Sequence, residues 1–290
     1  MSSQQLQGLN ITVINTELAK CDSSWDYSSV NSPFSRLYLI LEGEGEVVHS
    51  GRRFKLSSNK MFLVPAFTES SYKCPEHMLH YYIHFTHSSQ DELSLFERFN
   101  VDYLIDAQRT DYYLFKRLLD LNPGKALIER DPAKYHKRFQ MKRSFQMADR
   151  MGASEYLEST GIIIQLISRF VKDNATKPQE KMHIPKQSLH KIIGYINRNL
   201  DKQISISDLA KFMFVSKDHF SKVFLKTTGV RPTEYITIKR IERSQMLLLS
   251  TELGLEQIAI RCGFSSSSHL SRQFRKYLNT SPGNYRRKHS

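Results

Sequence analysis

The sequence predicts an α+β protein: an N-terminal antiparallel β-barrel with flanking helices, then an all-α region of two helix-turn-helix units joined by a linker helix. Its grounds are strand texture, an internal repeat and a charge divide. Residues 36–86 are punctuated like short strands. The stretch Ile206 to Tyr235 returns, with one inserted residue, as Leu255 to Tyr285. Residues 186–290 hold 19 Lys and Arg against 7 Asp and Glu, whereas residues 1–185 hold 23 against 22. One end is built for a polyanion and the other is not. A repeated helical unit on a basic background is how one polypeptide grips two adjacent stretches of DNA.

At 290 residues the chain has room for about two domains with real cores. No run of about 18 apolar residues offers a membrane span. The N-terminus, MSSQQLQGLNITV, lacks the basic and apolar regions of a secretory signal. Cys21, Cys74 and Cys262 are scattered and form no CxxC pair. That pattern fits a reducing cytoplasm, with neither a disulfide scaffold nor a cysteine-rich zinc site.

Along the chain, RLYLIL (36–41) leads into the glycine-punctuated EGEGE. Ser50-Gly51 marks a hairpin tip, and Pro65 stops the short buried strand MFLVP (61–65). LHYYIHFT (79–86) alternates and is rich in aromatic residues. Short strands with turn signals suggest a small barrel or sandwich. Helical spacing follows over 111–121, 132–150 and 154–173. The last places Leu157, Ile163, Ile164, Ile167, Phe170 and Val171 on and around one face, and is too apolar to stand alone. It is expected to pack on its own barrel, on a second copy of the chain, or on both. Residues 174–187 are polar, with two prolines, and read as a linker between a domain over 1–173 and another over 188–290.

In the first unit, about 206–235, Ser205-x-x-Asp208 is a capping box and Ser216 caps the next helix. Leu209, Ala210 and Met213 form the first helix's stripe. His219 or Phe220, Val223 and Phe224 face inward from the second, leaving Lys217, Asp218, Ser221, Lys222 and Lys226 outward. Gly229 can end that helix and Pro232 open the next. The second unit, about 255–285, repeats the logic. Ile258, Ala259 and Cys262 form the stripe, Gly263 the turn, and Ser265 or Ser266 the cap. Leu270 and Phe274 face inward, while Ser267, Ser268, Ser271, Arg272 and Arg275 face outward. Asn279 stands in for the terminating glycine. The helix around RIERSQMLLLS (240–250) joins the units and fixes the distance between two recognition helices. On one face of B-DNA these should enter major-groove segments about 34 Å apart.

These residues resemble the DNA-binding domain of the AraC/XylS family of bacterial transcription regulators. The shared features are DLA, S-x-x-x-F-S-K-x-F-x-K-x-x-G-x-x-P-x-x-Y, RI…LL, IA-x-x-x-GF and H-L-S-R-x-F-x-K…SP-x-x-Y-R, over about 100 residues. The resemblance implies base-edge contacts from Asp218, Ser221 and Lys222, and from Ser267, Ser268, Ser271 and Arg272. It gives Lys226, Arg275 and Lys276 to phosphates, which position without specifying. Each serine could instead cap a helix or face solvent. Phe214 and Ser244 depart from the family's usual glycine and alanine.

The stretch RLYLILEGEGEVVHSGRRFKLSSNKMFLVP resembles the cupin-like sensor domain of many members, through Gly43, Gly45, Leu56, Pro65 and IHF (83–85). Asn59 stands where a turn glycine is usual, and Ser70 where a histidine often sits. The resemblance implies a small-molecule effector, frequently a sugar, together with double-stranded DNA, a second copy of the chain and RNA polymerase as partners. His80, Tyr82 and His84 share one strand face and could line a pocket or serve structure. Trp25 and Tyr38 are further pocket candidates, since aromatic faces suit both sugar rings and cores. A metal-dependent cupin enzyme with a DNA-binding tail is the rival reading. It needs two histidines one residue apart, and residues 36–86 contain no H-x-H. No metal, cofactor or catalytic residue is therefore expected.

Overall fold

A computed structural model describes residues 10–88, 95–127, 138–172 and 186–289. The expected linker lies outside these residues up to position 185, as does the start of the helix expected over 132–150. The chain divides into two compact units, one built on residues 10–88 and 99–172, the other on 186–288.

The first unit is a coiled antiparallel sheet of eight strands among the described residues. They are β1 (Asn10–Asp22), β2 (Asp26–Asn31), β3 (Ser35–His49), β4 (Arg52–Ser57), β5 (Lys60–Val64), β6 (Glu69–Lys73), β7 (His77–Ser88) and β8 (Leu104–Asp106). The first half of β3 pairs with β5 and β7, and its second half with β4 and β6. The strand changes partners at a bulge between Ile40 and Glu42, followed by Gly43 at φ +75°. A Cβ at Gly43 would lie 2.1 Å from the His77 carbonyl oxygen, so only glycine lets the two backbones approach. Ser50 and Gly51, both at positive φ, close the β3–β4 hairpin as a two-residue turn.

Period-two alternation builds the interior. Tyr38 and Ile40 of β3, Tyr72 of β6 and Tyr82 of β7 belong to one buried cluster. In the β3–β7 ladder Arg36 faces His84, Tyr38 faces Tyr82, and Ile40 faces His80. Two strands precede the residue at which the sequence pattern places the first one. In β1 the alternation is broken by a register shift between Val13 and Asn15, and Val13, Ile14, Asn15 and Thr16 are all buried. β2 is polar and itself irregular, with Ser29 at φ +54°. Neither carries a period that a strand pattern would reveal.

Between β7 and β8 lies the single turn α1 (Leu95–Arg98). Three helices pack on β1: α2 (Arg109–Leu121), α3 (Arg138–Asp149) and α4 (Ala153–Ser168). Arg117 forks onto Glu158 at 2.6 and 2.8 Å and ties α2 to α4. Helix α4 buries Ile162, Ile163, Leu166 and Ile167. Leu157 and Ile164, expected near that stripe, are 68% and 39% exposed. The helix also stops at Ser168, short of the expected residue 173, where Val171 instead bridges Val101.

The second unit is helical: α5 (Lys186–Arg198), α6 (Ile206–Phe212), α7 (Lys217–Thr228), α8 (Pro232–Ser250), α9 (Leu255–Arg261), α10 (Ser267–Leu278) and α11 (Pro282–Lys288). Ile192, Ile193 and Ile196 of α5 cluster with Leu209, Ala210, Phe220, Phe224 and Tyr235. Each large side chain there contributes about 1.5–3 kcal/mol by burial. Ser244, where alanine is usual, fits inside because its Oγ donates to the Ile241 carbonyl at 2.7 Å.

Gly43→Ala combines a disfavoured backbone with a collision against fixed backbone. It should cost at least about 2 kcal/mol of stability, read as a lowered urea midpoint of the barrel.

Candidate nucleic-acid interface and barrel interior

Each recognition helix begins at a serine. Ser216 accepts the His219 amide at 3.2 Å to start α7, and Ser266 accepts the His269 amide at 3.1 Å to start α10. Each ends in the left-handed conformation, at Gly229 (φ +80°) and Asn279 (φ +52°). Phe220, Val223 and Phe224 are buried in α7, as are Leu270 and Phe274 in α10. Of the two alternatives, Phe220 takes the inward place and His219 is half-buried.

The opposite faces hold the predicted contact residues. Lys217, Asp218, Lys222 and Lys226 are exposed on α7. Ser221 is half-buried and donates its hydroxyl to the Lys217 carbonyl at 2.8 Å. On α10, Ser267, Ser268, Ser271, Arg272, Arg275 and Lys276 line one open groove together with Leu255. Glu256 stands beside it. Hydrogen bonds from the Ser267 hydroxyl and amide hold its carboxyl below the usual range, at a helix N-terminus that favours negative charge. His269, against Ser265 and the edge of Phe264, is pushed towards its neutral form by burial and then by Arg272 and Arg240.

Arg240 of α8 ties the end of α5 to the turn of the second helix-turn-helix unit. Its Nε donates to the Leu200 carbonyl at 2.9 Å and its Nη2 to the Lys202 carbonyl at 2.6 Å. Its guanidinium also lies 6.0 Å from the Phe264 ring centroid, in the turn of the second unit. At that turn a Cβ on Gly263 (φ +74°) would come within 2.0 Å of the Leu200 carbonyl oxygen. The matching position of the first unit, Phe214 (φ +54°), is 97% exposed. Phenylalanine survives there because the turn meets solvent. At the far end, Arg286 reaches the carbonyls of Leu248 (3.3 Å) and Leu253 (2.7 Å). Gln245 donates to the Tyr285 hydroxyl at 3.3 Å.

Inside the barrel, the five candidate residues form one chain of rings. Trp25 lies 6.0 Å from His80, and Tyr38 5.7 Å from His80. His80 lies 6.3 Å from Tyr82, which lies 4.8 Å from His84. The Tyr82 hydroxyl donates to Glu17 and accepts the Leu127 amide, both at 3.0 Å. Lys125 reaches the Val13 carbonyl at the β1 bulge at 2.9 Å, and burial lowers its ammonium to about 8. Sequence reasoning overlooked Arg36, Tyr72 and His49, although Arg36 shares a strand face with Tyr38 at spacing two. Burial, then Arg36 and His80, push His84 well below the ordinary histidine range. His49 is lowered by burial and Arg36 against a raising hydrogen bond to the Glu69 carbonyl. No group of three or more His, Cys, Asp or Glu among the described residues could hold a metal ion. No described helix is long and apolar enough to cross a membrane.

Arg240→Met should cost the C-terminal unit about 1–3 kcal/mol in thermal unfolding. It should also weaken binding to a two-segment operator more than to a single segment, as read by fluorescence anisotropy. The folded barrel refuses protons that unfolded histidines accept. The histidine contribution to stability is therefore level above about pH 6.5 and falls as pH drops below it. His84→Leu should flatten that fall in urea midpoints, with His49 leaving a residue of it; an unchanged slope would place the titration elsewhere.

A helix-turn-helix domain family matches residues 209–288. The probable transcriptional regulator LumQ of Photobacterium leiognathi is 34% identical over 94 residues, covering 32% of this chain and 38% of that protein. The Msm operon regulatory protein of Streptococcus mutans is 22% identical over 289 residues, covering 97% of this chain and 94% of the relative. The lactose operon transcription activator of Staphylococcus xylosus is 22% identical over 287 residues, covering 94% and 93%. A solved structure of ToxT from Vibrio cholerae covers 97% of this chain and 95% of its own, with a TM-score of 0.50 at 15% identity, a likeness of fold. Residues 209–288 thus form a helix-turn-helix domain of the AraC type, and with operon regulators among its full-length relatives the chain is a DNA-binding transcription regulator.

Proposed function

We propose that α7 and α10 enter successive major-groove segments of one operator, while a small molecule inside the barrel biases how a pair of chains reaches its half-sites. The observation that carries the DNA reading is the convergence of Ser267, Ser268, Ser271, Arg272, Arg275 and Lys276 on one groove. The outer face of α7 offers Lys217, Asp218, Ser221, Lys222 and Lys226 in the same relation to its cap. Asp218, Ser221, Lys222, Ser267, Ser268, Ser271 and Arg272 read base edges in this scheme, and Lys226, Arg275 and Lys276 hold phosphates.

Residues 1–173 act as sensor and dimer contact, 174–187 as linker and 188–290 as DNA-binding domain. Leu157, Gly161 and Ile164, exposed at helical spacing on α4, supply the face for a second copy. The relative named for a lactose operon makes a sugar one candidate effector class. Tyr82 is suited to couple occupancy to the outside, because its hydroxyl joins the interior to Glu17 and to the Leu127 amide. A ligand shifts the balance only by binding one arrangement more tightly than the other.

Arg272→Ala should weaken operator binding by about 1–3 kcal/mol and relax preference at one base position. Arg275→Ala should weaken all sequences alike and reduce the salt slope by about one. Anisotropy titrations at several salt concentrations check both. Undiminished specific binding by Arg272→Ala would remove α10 from the major groove.

A further inference from the structure

The turn of the first helix-turn-helix unit carries a ring that the fold does not use. Phe214 is 97% exposed at φ +54°, a conformation that favours glycine. Phe212, the last residue of α6, is 65% exposed beside it. Two backbone bonds fix the turn. The Val215 amide donates to the Ala210 carbonyl at 3.1 Å and the Phe214 amide to the Lys211 carbonyl at 2.9 Å. The second unit repeats both, from Phe264 to Ala259 and from Gly263 to Ile260. The same helix-ending motif thus occurs twice, and in the second copy glycine fills its left-handed place. A phenylalanine there strains the backbone and gains nothing from burial, so stability does not account for it. The position of the turn decides what the ring can meet. The chain runs from it into the Ser216 cap, and Lys217, three residues after Phe214, is the first exposed cation of α7. Lys211, in an exposed pair with Asp208 at 3.4 Å, stands three residues before it. A recognition helix meets base edges with its N-terminal residues, while the helix before it crosses the sugar-phosphate backbone. The turn between them is therefore carried to the groove wall, with a cation on either side to suit phosphates. The apolar group that a base edge presents in the major groove is the thymine methyl, and phenylalanine is among its partners.

We propose that Phe214 is a further specificity-determining residue, its ring seated on the 5-methyl group of one thymine in the duplex segment that α7 enters. This rests on α7 lying in the major groove. The second unit has no such reader, because a side chain at Gly263 would collide with the Leu200 carbonyl. The experiment first enriches a preferred duplex from a random pool with the full chain. Each thymine of that duplex is then replaced in turn by deoxyuridine, which removes the methyl and nothing else. Anisotropy titrations compare the unaltered chain with Phe214→Gly, Phe214→Leu and Lys222→Ala. One replacement should weaken the unaltered chain about threefold to fivefold. Phe214→Gly should lose the same factor on the thymine duplex and be indifferent to deoxyuridine at that position, and Phe214→Leu should keep part of the preference. Glycine suits the turn, so Phe214→Gly should melt no lower than the unaltered chain by circular dichroism. A lower melting temperature would show the ring serving the fold and would overturn the inference. Equal sensitivity to that deoxyuridine with and without the ring, indifference of the unaltered chain to every replacement, or a preferred duplex without thymine would overturn it too. So would a Phe214→Gly chain that binds every duplex normally yet fails to drive transcription by RNA polymerase, which would assign the ring to a protein partner. If Lys222→Ala weakens specific binding while Phe214→Gly changes nothing, this inference alone falls. If neither changes it, or no sequence is enriched, the place of α7 in the groove falls with it.

Discussion

The C-terminal domain depends on hydrogen bonds from arginines to backbone carbonyls at helix ends. Arg240 spans the end of α5 and the turn before α10, and Arg286 pins α11 to the end of α8. Carbonyls left over at a helix end need partners in any case. Using arginines from elsewhere in the domain satisfies that need and ties separate helices together at once. The hydrophobic cluster beneath α7 makes the first helix-turn-helix unit cohere with α5, but a contact between apolar side chains has no preferred direction. Directional bonds fix the helix orientation that apolar packing leaves open.

The barrel solves a different problem with the same residue type. Strand alternation delivers Arg36, Tyr38, Ser70, Tyr72, His80, Tyr82 and His84 to one enclosed space. A core filled this way is less stable than an aliphatic one of equal volume, because polar groups out of water must be matched by partners. The hydrogen-bonded runs from Arg36 through Ser70 to Tyr72, and from Glu17 through Tyr82 to Leu127, supply that matching. They also make the interior responsive, since any polar newcomer must rearrange a connected set.

How much of this could be read from residues alone varied with the reach of the interactions. Caps, stripes and turns in the helical repeat are local, and Ser216, Ser266, Gly229, Asn279 and Pro232 occupy the places their chemistry suggests. The outer-face residues of α10 were legible for the same reason, because helical spacing alone sends them to one side. Strands β1 and β2 were not, since a bulge destroys the only period a strand advertises. Nor was Arg36: within RLYLIL an arginine reads as the polar start of a strand, and only the pairing with β7 shows that it points inward. Leu157 and Ile164 left alternatives open in the sequence, for an apolar residue does not announce which neighbour it will meet.

The unequal turns of the two units carry a further meaning for how such a repeat can change. The second is wedged against the end of α5, where even a methyl group has no room. The first opens onto water and already tolerates a bulky ring in an awkward backbone conformation. Duplicated modules begin as equals, yet here one copy has become masonry and the other a free edge. Insertions, tags or new binding chemistry can accumulate at the edge without disturbing the packing that the masonry keeps.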